Sequence, residues 1–115
     1  MKIVTCILNF HGEKYLAYSM LRSFKESLSQ ALRVTDFTYE LVVVLDNADE
    51  LTKTVVTSFL ERLNFVKVSI YNTSFGDVAL PRNFGIEHAN GDVISIFDGD
   101  DLYSSNYVSS VVTTA

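Results

Sequence analysis

At 115 residues, the chain is long enough for one domain with a modest core, or for part of a larger domain. Its 48% hydrophobic and 20% charged residues exclude a disordered chain, and a net charge of −5 without any basic run argues against nucleic acid as a partner. The single cysteine, Cys6, excludes an internal disulfide; it sits inside an apolar run, so a buried, inert thiol and a reduced, cytoplasmic setting are expected.

Ile3 to Leu8 is apolar almost throughout, as a strand covered on both faces should be. Met1-Lys2 followed by this run resembles the start of a signal peptide. The run is too short for one, and Asn9, His11, Glu13 and Lys14 follow at once. No apolar run exceeds about strand length, so none spans a membrane, and any membrane association would come through regions outside this sequence. Asn9-Phe10-His11-Gly12 reads as a loop. A helix is expected from about Glu13 to Leu32, where Ala17, Leu21, Phe24, Leu28 and Ala31 recur at helical spacing.

Glu40 to Leu45 is the most strand-like segment and ends at Asp46-Asn47. Leu51, Val55, Phe59 and Leu63 then mark one face of a second helix, about Leu51 to Leu63. Val66 to Tyr71 alternates apolar and polar residues and suits a strand at a sheet edge. After a turn-rich loop, Asn72 to Asp77, Pro81 fixes the first turn of a short helix beginning near Val78 to Leu80, which stops at Asn90-Gly91. Asp92 to Phe97 is a fourth strand, and Tyr107, Val108, Val111 and Val112 suggest one more short helix.

Strands and helices alternate, which predicts an α/β fold: a parallel sheet with flanking helices and right-handed crossovers. Ligands of such folds sit beyond the carboxyl ends of the strands, at a topological switch point. The polar residues gather at those ends: Asn9 and His11, Asp46, and Asp98 to Asp101.

The last group crowds three carboxylates, Asp98, Asp100 and Asp101, into four positions around Gly99. Carboxylates this close repel and raise one another's pKa unless a positive group lies between them. A hard divalent cation, Mg²⁺ or Mn²⁺, would relieve that repulsion, taking one or two protein oxygens and completing its shell with phosphate and water. Asp and Gly also form turns, so the cluster alone leaves both readings open. An EF-hand is excluded, because its loop needs Gly at the sixth position, where Tyr103 stands.

Taken together, Val-Val-Val-Leu ending at Asp46, Pro81-Arg82-Asn83-Phe84-Gly85-Ile86, and Asp92-Val93-Ile94-Ser95-Ile96-Phe97-Asp98-Gly99-Asp100-Asp101 resemble the start of a family-2 glycosyltransferase with the GT-A fold. The resemblance covers nearly the whole chain. It implies a Rossmann-like half that binds a sugar nucleotide, most often UDP-linked, for inverting transfer to a glycan or other hydroxyl acceptor. By that similarity, Asp46 would accept a hydrogen bond from the base, and Asn9 and His11 would line the nucleotide pocket with Glu13 close by. Arg82 would face the phosphates or the carboxylates. Asp98 and Asp100 would form the Asp-x-Asp motif that holds Mg²⁺ or Mn²⁺ against the diphosphate, with Asp101 an alternative ligand. The chain departs from the family's pattern at Leu45, where a second acid is common, and at Phe10-His11, where a Tyr-Asn pair is common.

No acid occurs among residues 102–115, so the catalytic base and the acceptor site are expected to lie outside this sequence. The expectation is a donor-binding part, residues 1–115, of a longer GT-A domain, inactive in transfer by itself. It should expose apolar surface around Tyr107, Val108, Val111 and Val112 and self-associate through it. A non-catalytic nucleotide-binding module serving a partner is the alternative. A sugar-nucleotide pyrophosphorylase is disfavoured, since its Gly-rich phosphate loop should follow the first strand, where Asn9-Phe10-His11-Gly12-Glu13-Lys14 stands.

Overall fold

The computed structural model describes residues 2–114. Four strands and four helices alternate in the order β1 (Ile3–Phe10), α1 (Tyr15–Val34), β2 (Thr38–Asp46), α2 (Glu50–Leu60), β3 (Lys67–Thr73), α3 (Ala79–Glu87), β4 (Val93–Asp98) and α4 (Tyr107–Thr113). The strands form one sheet in the order β3-β2-β1-β4, and every neighbouring pair is parallel. This is the predicted α/β architecture, with β3 at an edge. The chain winds outward from β1 through β2 to β3, then returns to the other side of β1 to lay down β4. The switch point therefore lies between β1 and β4, beside Asn9 and Asp98, which are register partners.

The alternation of side chains along the strands divides the core unequally. Val4, Cys6, Leu8 and Phe10 of β1 join Leu41, Val43 and Leu45 of β2 and Phe97 of β4 on one face. That face is covered by Phe24 and Leu28 of α1, Val56 and Leu60 of α2, and Val108 and Val112 of α4. Phe24 meets Phe97 edge to face at 4.9 Å, a geometry worth about 0.5–1.5 kcal/mol beyond the area it buries. The opposite face holds the smaller cluster of Ile7, Val42 and Val44, against which Tyr71 and Phe84 pack. There α3 lies close on the sheet, because a Cβ at Gly85 would come within 2.6 Å of Ile7 Cγ2. Cys6 is fully buried, and burial pushes its thiol up to about 12, as an inert thiol requires. No helix of the described residues is long and apolar enough to cross a membrane.

Several boundaries differ from the sequence reading. Asn9 and Phe10 continue β1 rather than forming a loop, since both pair with β2 (Asn9 with Val44, Phe10 with Leu45). The first helix starts at Tyr15, two residues later than expected, after Lys14 takes a φ of 55°. That left-handed conformation is held by Thr52 Oγ1, which accepts from the Lys14 N–H at 2.8 Å and in turn donates to Asp49. The second helix ends at Leu60 and the third at Glu87, short of Leu63 and Asn90. The expected apolar patch on the last helix is corrected in part. Tyr107 is exposed and Val111 partly buried, but Val108 and Val112 are buried, because α4 docks on α1 and the Val108 N–H donates to Ser27 Oγ at 2.9 Å. Apolar surface is also open on β4, at Ile94 and Ile96, on the face that α3 only partly covers.

A buried polar knot closes the amino-terminal end of the sheet. Glu40 Oε2 accepts from Thr5 Oγ1 at 2.6 Å and from the Asn90 N–H at 2.8 Å, while Thr5 Oγ1 accepts from the Gly91 N–H at 2.9 Å. Burial pushes the Glu40 pKa up, but these bonds outweigh it and leave the carboxyl below its ordinary value.

Candidate functional site

The register of the strands brings the predicted residues to one end and one face. Asn9, Val44 and Asp98 form a single row across β2, β1 and β4, one step beyond the row of Val42, Ile7 and Ile96. This row and Asp46 fall on the face that carries α3, so Arg82 of α3 can reach it. Its Nη2 donates to Asp98 Oδ1 at 3.2 Å and Oδ2 at 3.0 Å. Both side chains are about 40% exposed, at 39% and 41%. A pair this wet adds only about 0–1 kcal/mol to stability. Its consequence is positional: a guanidinium stands over the switch point, with its buried Nε left without a hydrogen-bond partner.

Asn9 is 4% exposed, and neither its Nδ2 nor its Oδ1 has a partner among the described residues. Buried amides are nearly always satisfied. An orphaned one in the same row as Asp98 can donate to one ligand group and accept from another.

The acidic turn is built by three backbone ties. The Gly99 N–H donates to Asn9 O at 2.9 Å, the Asp101 N–H to Asp98 O at 3.3 Å, and the Asp98 N–H to the Tyr103 hydroxyl at 3.0 Å. The Tyr103 ring packs on Phe97 at 5.1 Å, and its hydroxyl also fixes the backbone of Asp98. Burial, with the negative charge of Asp101, pushes the Tyr103 pKa well above its usual range, so the hydroxyl keeps its proton. Asp100 and Asp101 are exposed and Asp98 half-buried.

Among the described residues, no three His, Cys, Asp or Glu side chains converge closely enough to hold a metal by themselves. The donor set nevertheless fits Mg²⁺ or Mn²⁺ in the form these ions take beside phosphate, with one or two carboxylates and the remaining positions left to substrate and water. Asp100 and Asp101 are free to serve in that way, whereas Asp98 would share its charge with Arg82.

A shallow cleft of about 330 Å³ opens beyond β2, lined by His11, Asp46, Asn47, Gly76, Asp77 and Val78. Asp46 lies at its floor, with a residue exposure of 0%. Its Oδ1 accepts from Thr73 Oγ1 at 2.6 Å and the Phe75 N–H at 2.7 Å, and its Oδ2 accepts from the Gly76 N–H at 3.0 Å. Burial pushes the Asp46 pKa up; the three hydrogen bonds and nearby His11 pull harder, and the carboxyl lies below its ordinary value. His11 borders the same cleft, its Nδ1 3.1 Å from Asp46 O and 3.7 Å from Asp46 Oδ2. Glu13 accepts from the His11 N–H, which ties the β1–α1 connection together. Its pKa is raised, chiefly by burial, with the charge of Asp100 adding to it.

Thus Asn9, Arg82 and Asp98 meet at the switch point, Asp100 and Asp101 flank it, and His11 and Asp46 stand at the neighbouring cleft, with Glu13 between. The residues that sequence reasoning missed are Thr73, Phe75 and Gly76, which clothe Asp46. Their only sequence signal is the turn-rich composition of Asn72 to Asp77.

Known proteins share this fold. S. aureus TarS 1–349, solved in complex with UDP, superposes with a TM-score of 0.71 at 25% identity, covering 98% of this chain and 31% of that one. The mannosyltransferase PcManGT from Pyrobaculum calidifontis, solved with GDP-Man and Mn²⁺, has the same fold, with a TM-score of 0.73 at 22% identity over 90% of this chain and 29% of its own. Glycosyltransferase GlyG of Streptococcus pneumoniae serotype 4 is 26% identical over 94 residues, which are 82% of this chain and 31% of the relative. The chain therefore spans less than a third of each of these proteins. The family model described as Glycosyl transferase family 2 matches residues 5–115, taking in every strand end that borders the crevice, and the chain belongs to that family.

Proposed function

We propose that this chain is the donor-binding part of a GT-A glycosyltransferase and takes a nucleoside diphosphate sugar, with uridine as the nucleoside. The observation that carries the reading is the orphaned Asn9 amide, set in one row with Asp98 under Arg82, beside the cleft of His11 and Asp46. The base would enter that cleft against His11 and the backbone of the 73–76 loop, which Asp46 holds in place. The diphosphate would lie toward the switch point, where Asn9 and the Arg82 guanidinium offer donors. The UDP complex of TarS, at 25% identity over nearly this whole chain, supports uridine as the first choice.

Asp100, with Asp98 or Asp101, would hold Mg²⁺ or Mn²⁺ beside the diphosphate. Bound there, the cation would stabilise the charge that develops on the leaving nucleoside diphosphate during inverting transfer. The general base that activates the acceptor hydroxyl is assigned to residues outside 1–115, so this chain binds donor and does not transfer sugar.

Calorimetric titration of UDP with Mn²⁺ and with EDTA tests the reading. Binding is expected to need the metal, and Asp100→Asn should weaken it several-fold because a coordinating charge is lost. Equal affinity in Mn²⁺ and in EDTA would sink the metal role; no UDP binding at all would sink the donor site.

A further inference from the structure

A hollow lies away from the strand ends, against the outer side of α1. Its volume is about 600 Å³, and it is bordered by Tyr18, Arg22, Lys25, Arg33, Phe59 and Arg62. Helical geometry gathers the α1 members: positions 18, 22, 25, 29 and 33 rise along one stripe. That stripe is distinct from the one that buries Ala17, Phe24, Leu28 and Ala31. The second helix and the residues just after it supply Phe59 and Arg62. Tyr18 and Phe59 meet edge to face at 6.1 Å and join the two walls.

Four of the nine Lys and Arg residues of an acidic chain thus border one groove, and Glu26 is the only carboxylate lining it. Among the described residues none of the four cations is in an ion pair with a carboxylate. Arg22 rests instead over the Tyr18 ring, 5.9 Å from its centroid. Arg22 and Lys25 stand three residues apart, a spacing at which like charges repel across a helix face. Gln30, which also borders the groove, is partly buried, and its inward Oε1 has no hydrogen-bond partner among the described residues.

We propose that this groove is a second anion site, independent of divalent metal, that takes a discrete ligand bearing two or more phosphate groups. Guanidinium forks match phosphate oxygens in pairs, and three arginines border the groove. Tyr18 and Phe59 give an aromatic wall for the rest of the ligand. A volume of this size suits a small molecule, for which sites of about 300–1,000 Å³ are usual, better than a flat lipid surface or an extended polymer. A soluble phosphorylated compound and a phospholipid headgroup share this chemistry, and the test separates them.

The probe is inorganic tripolyphosphate, titrated calorimetrically into the 115-residue chain in EDTA, where the metal-assisted donor site is silent. Saturable binding is expected. It should weaken about tenfold or more in the double variant Arg22→Glu/Arg62→Glu, which loses two charge-assisted contacts. It should persist in Asp98→Asn/Asp100→Asn and within a few-fold in Arg62→Lys. Circular dichroism of each variant checks that these exposed helix-side changes leave the fold intact. No saturable binding at millimolar probe overturns the proposal, as does binding that survives the double reversal or is lost with Asp98→Asn/Asp100→Asn. Sedimentation with phosphatidylglycerol vesicles then names the source. Retention that tripolyphosphate displaces assigns a headgroup, no retention assigns a soluble ligand, and retention that tripolyphosphate cannot displace counts against a discrete site.

Discussion

Replacing Asp46 by Asn tests whether a buried carboxylate builds the cleft beyond β2. In the native chain its two oxygens receive three hydrogen bonds, from Thr73 Oγ1 and from the N–H groups of Phe75 and Gly76. An amide of the same shape keeps one oxygen and turns an NH₂ toward at least one of those donors. Bonds to a charged group are worth about 1.5–3 kcal/mol each, and a buried donor left unsatisfied costs about 1–3 kcal/mol. Thr73 is only partly buried and residues 74–76 are exposed, so the loop can swing out to water and the net loss should sit low in that range, about 2 kcal/mol.

Urea denaturation at neutral pH measures that loss, and hydrogen exchange at Phe75 and Gly76 locates it. The pH dependence gives a further check. The folded pKa of Asp46 lies below its unfolded value of about 3.9, so its contribution is complete above that pH and fades as pH falls through the lowered folded value. Glu40 is depressed in the same direction, so Asp46→Asn should remove part of the acid-side loss of stability and leave the rest. Nucleotide affinity should fall together with the order of the loop. Unchanged denaturation midpoints with unchanged exchange at Phe75 and Gly76 would refute the reasoning.

Gly99→Ala should destabilise the chain by about 1–3 kcal/mol, because the new methyl would overpack a site where it meets Phe10 Cδ1 at 2.5 Å and Asn9 O at 2.9 Å. Thermal unfolding measures the cost, and a melting temperature equal to that of the parent would show that the turn relaxes freely. Cys6 should resist a thiol-specific reagent in the folded chain and react once urea unfolds it, since its thiol is fully buried with a pKa near 12. Reaction at the same rate in both states would place it at the surface.

The sequence made the order of elements legible because each strand is an apolar run between turn residues and each helix carries its own stripe. It misjudged the end of β1. Asn9 was read as a loop residue on polarity, yet it holds a place in the row of Val44 and Asp98 because pairing on both sides satisfies its backbone. The position of Asp46 was readable from the run that precedes it. Its partners were not, since they lie 27 to 30 residues away and are chosen by the return of β3 alongside β2. The error over Val108 and Val112 has the same origin. Nothing local says that α4 docks on α1, because its partner Ser27 lies 81 residues away along the chain. Arg22, Lys25 and Arg33 could be seen as one helical stripe, but the contribution of Arg62 depends on how α2 lies beside α1.

The knot at Glu40 also acts as the zero mark of a ruler. Asn90 and Gly91 are pinned to β2 and β1 at the end of the sheet farthest from the crevice. From that fixed point β4 counts out residues at about 3.3 Å each, and the count decides both how far Asp98 travels and which face it meets. Lengthening β4 by one residue while the knot holds would carry the carboxylate past Asn9 and turn it toward Phe24, away from Arg82. Lengthening it by two would restore the face but overshoot the guanidinium. The acid's usefulness is thus set by an interval of chain as much as by its chemistry, and a tie at the remote end of the sheet holds that interval constant.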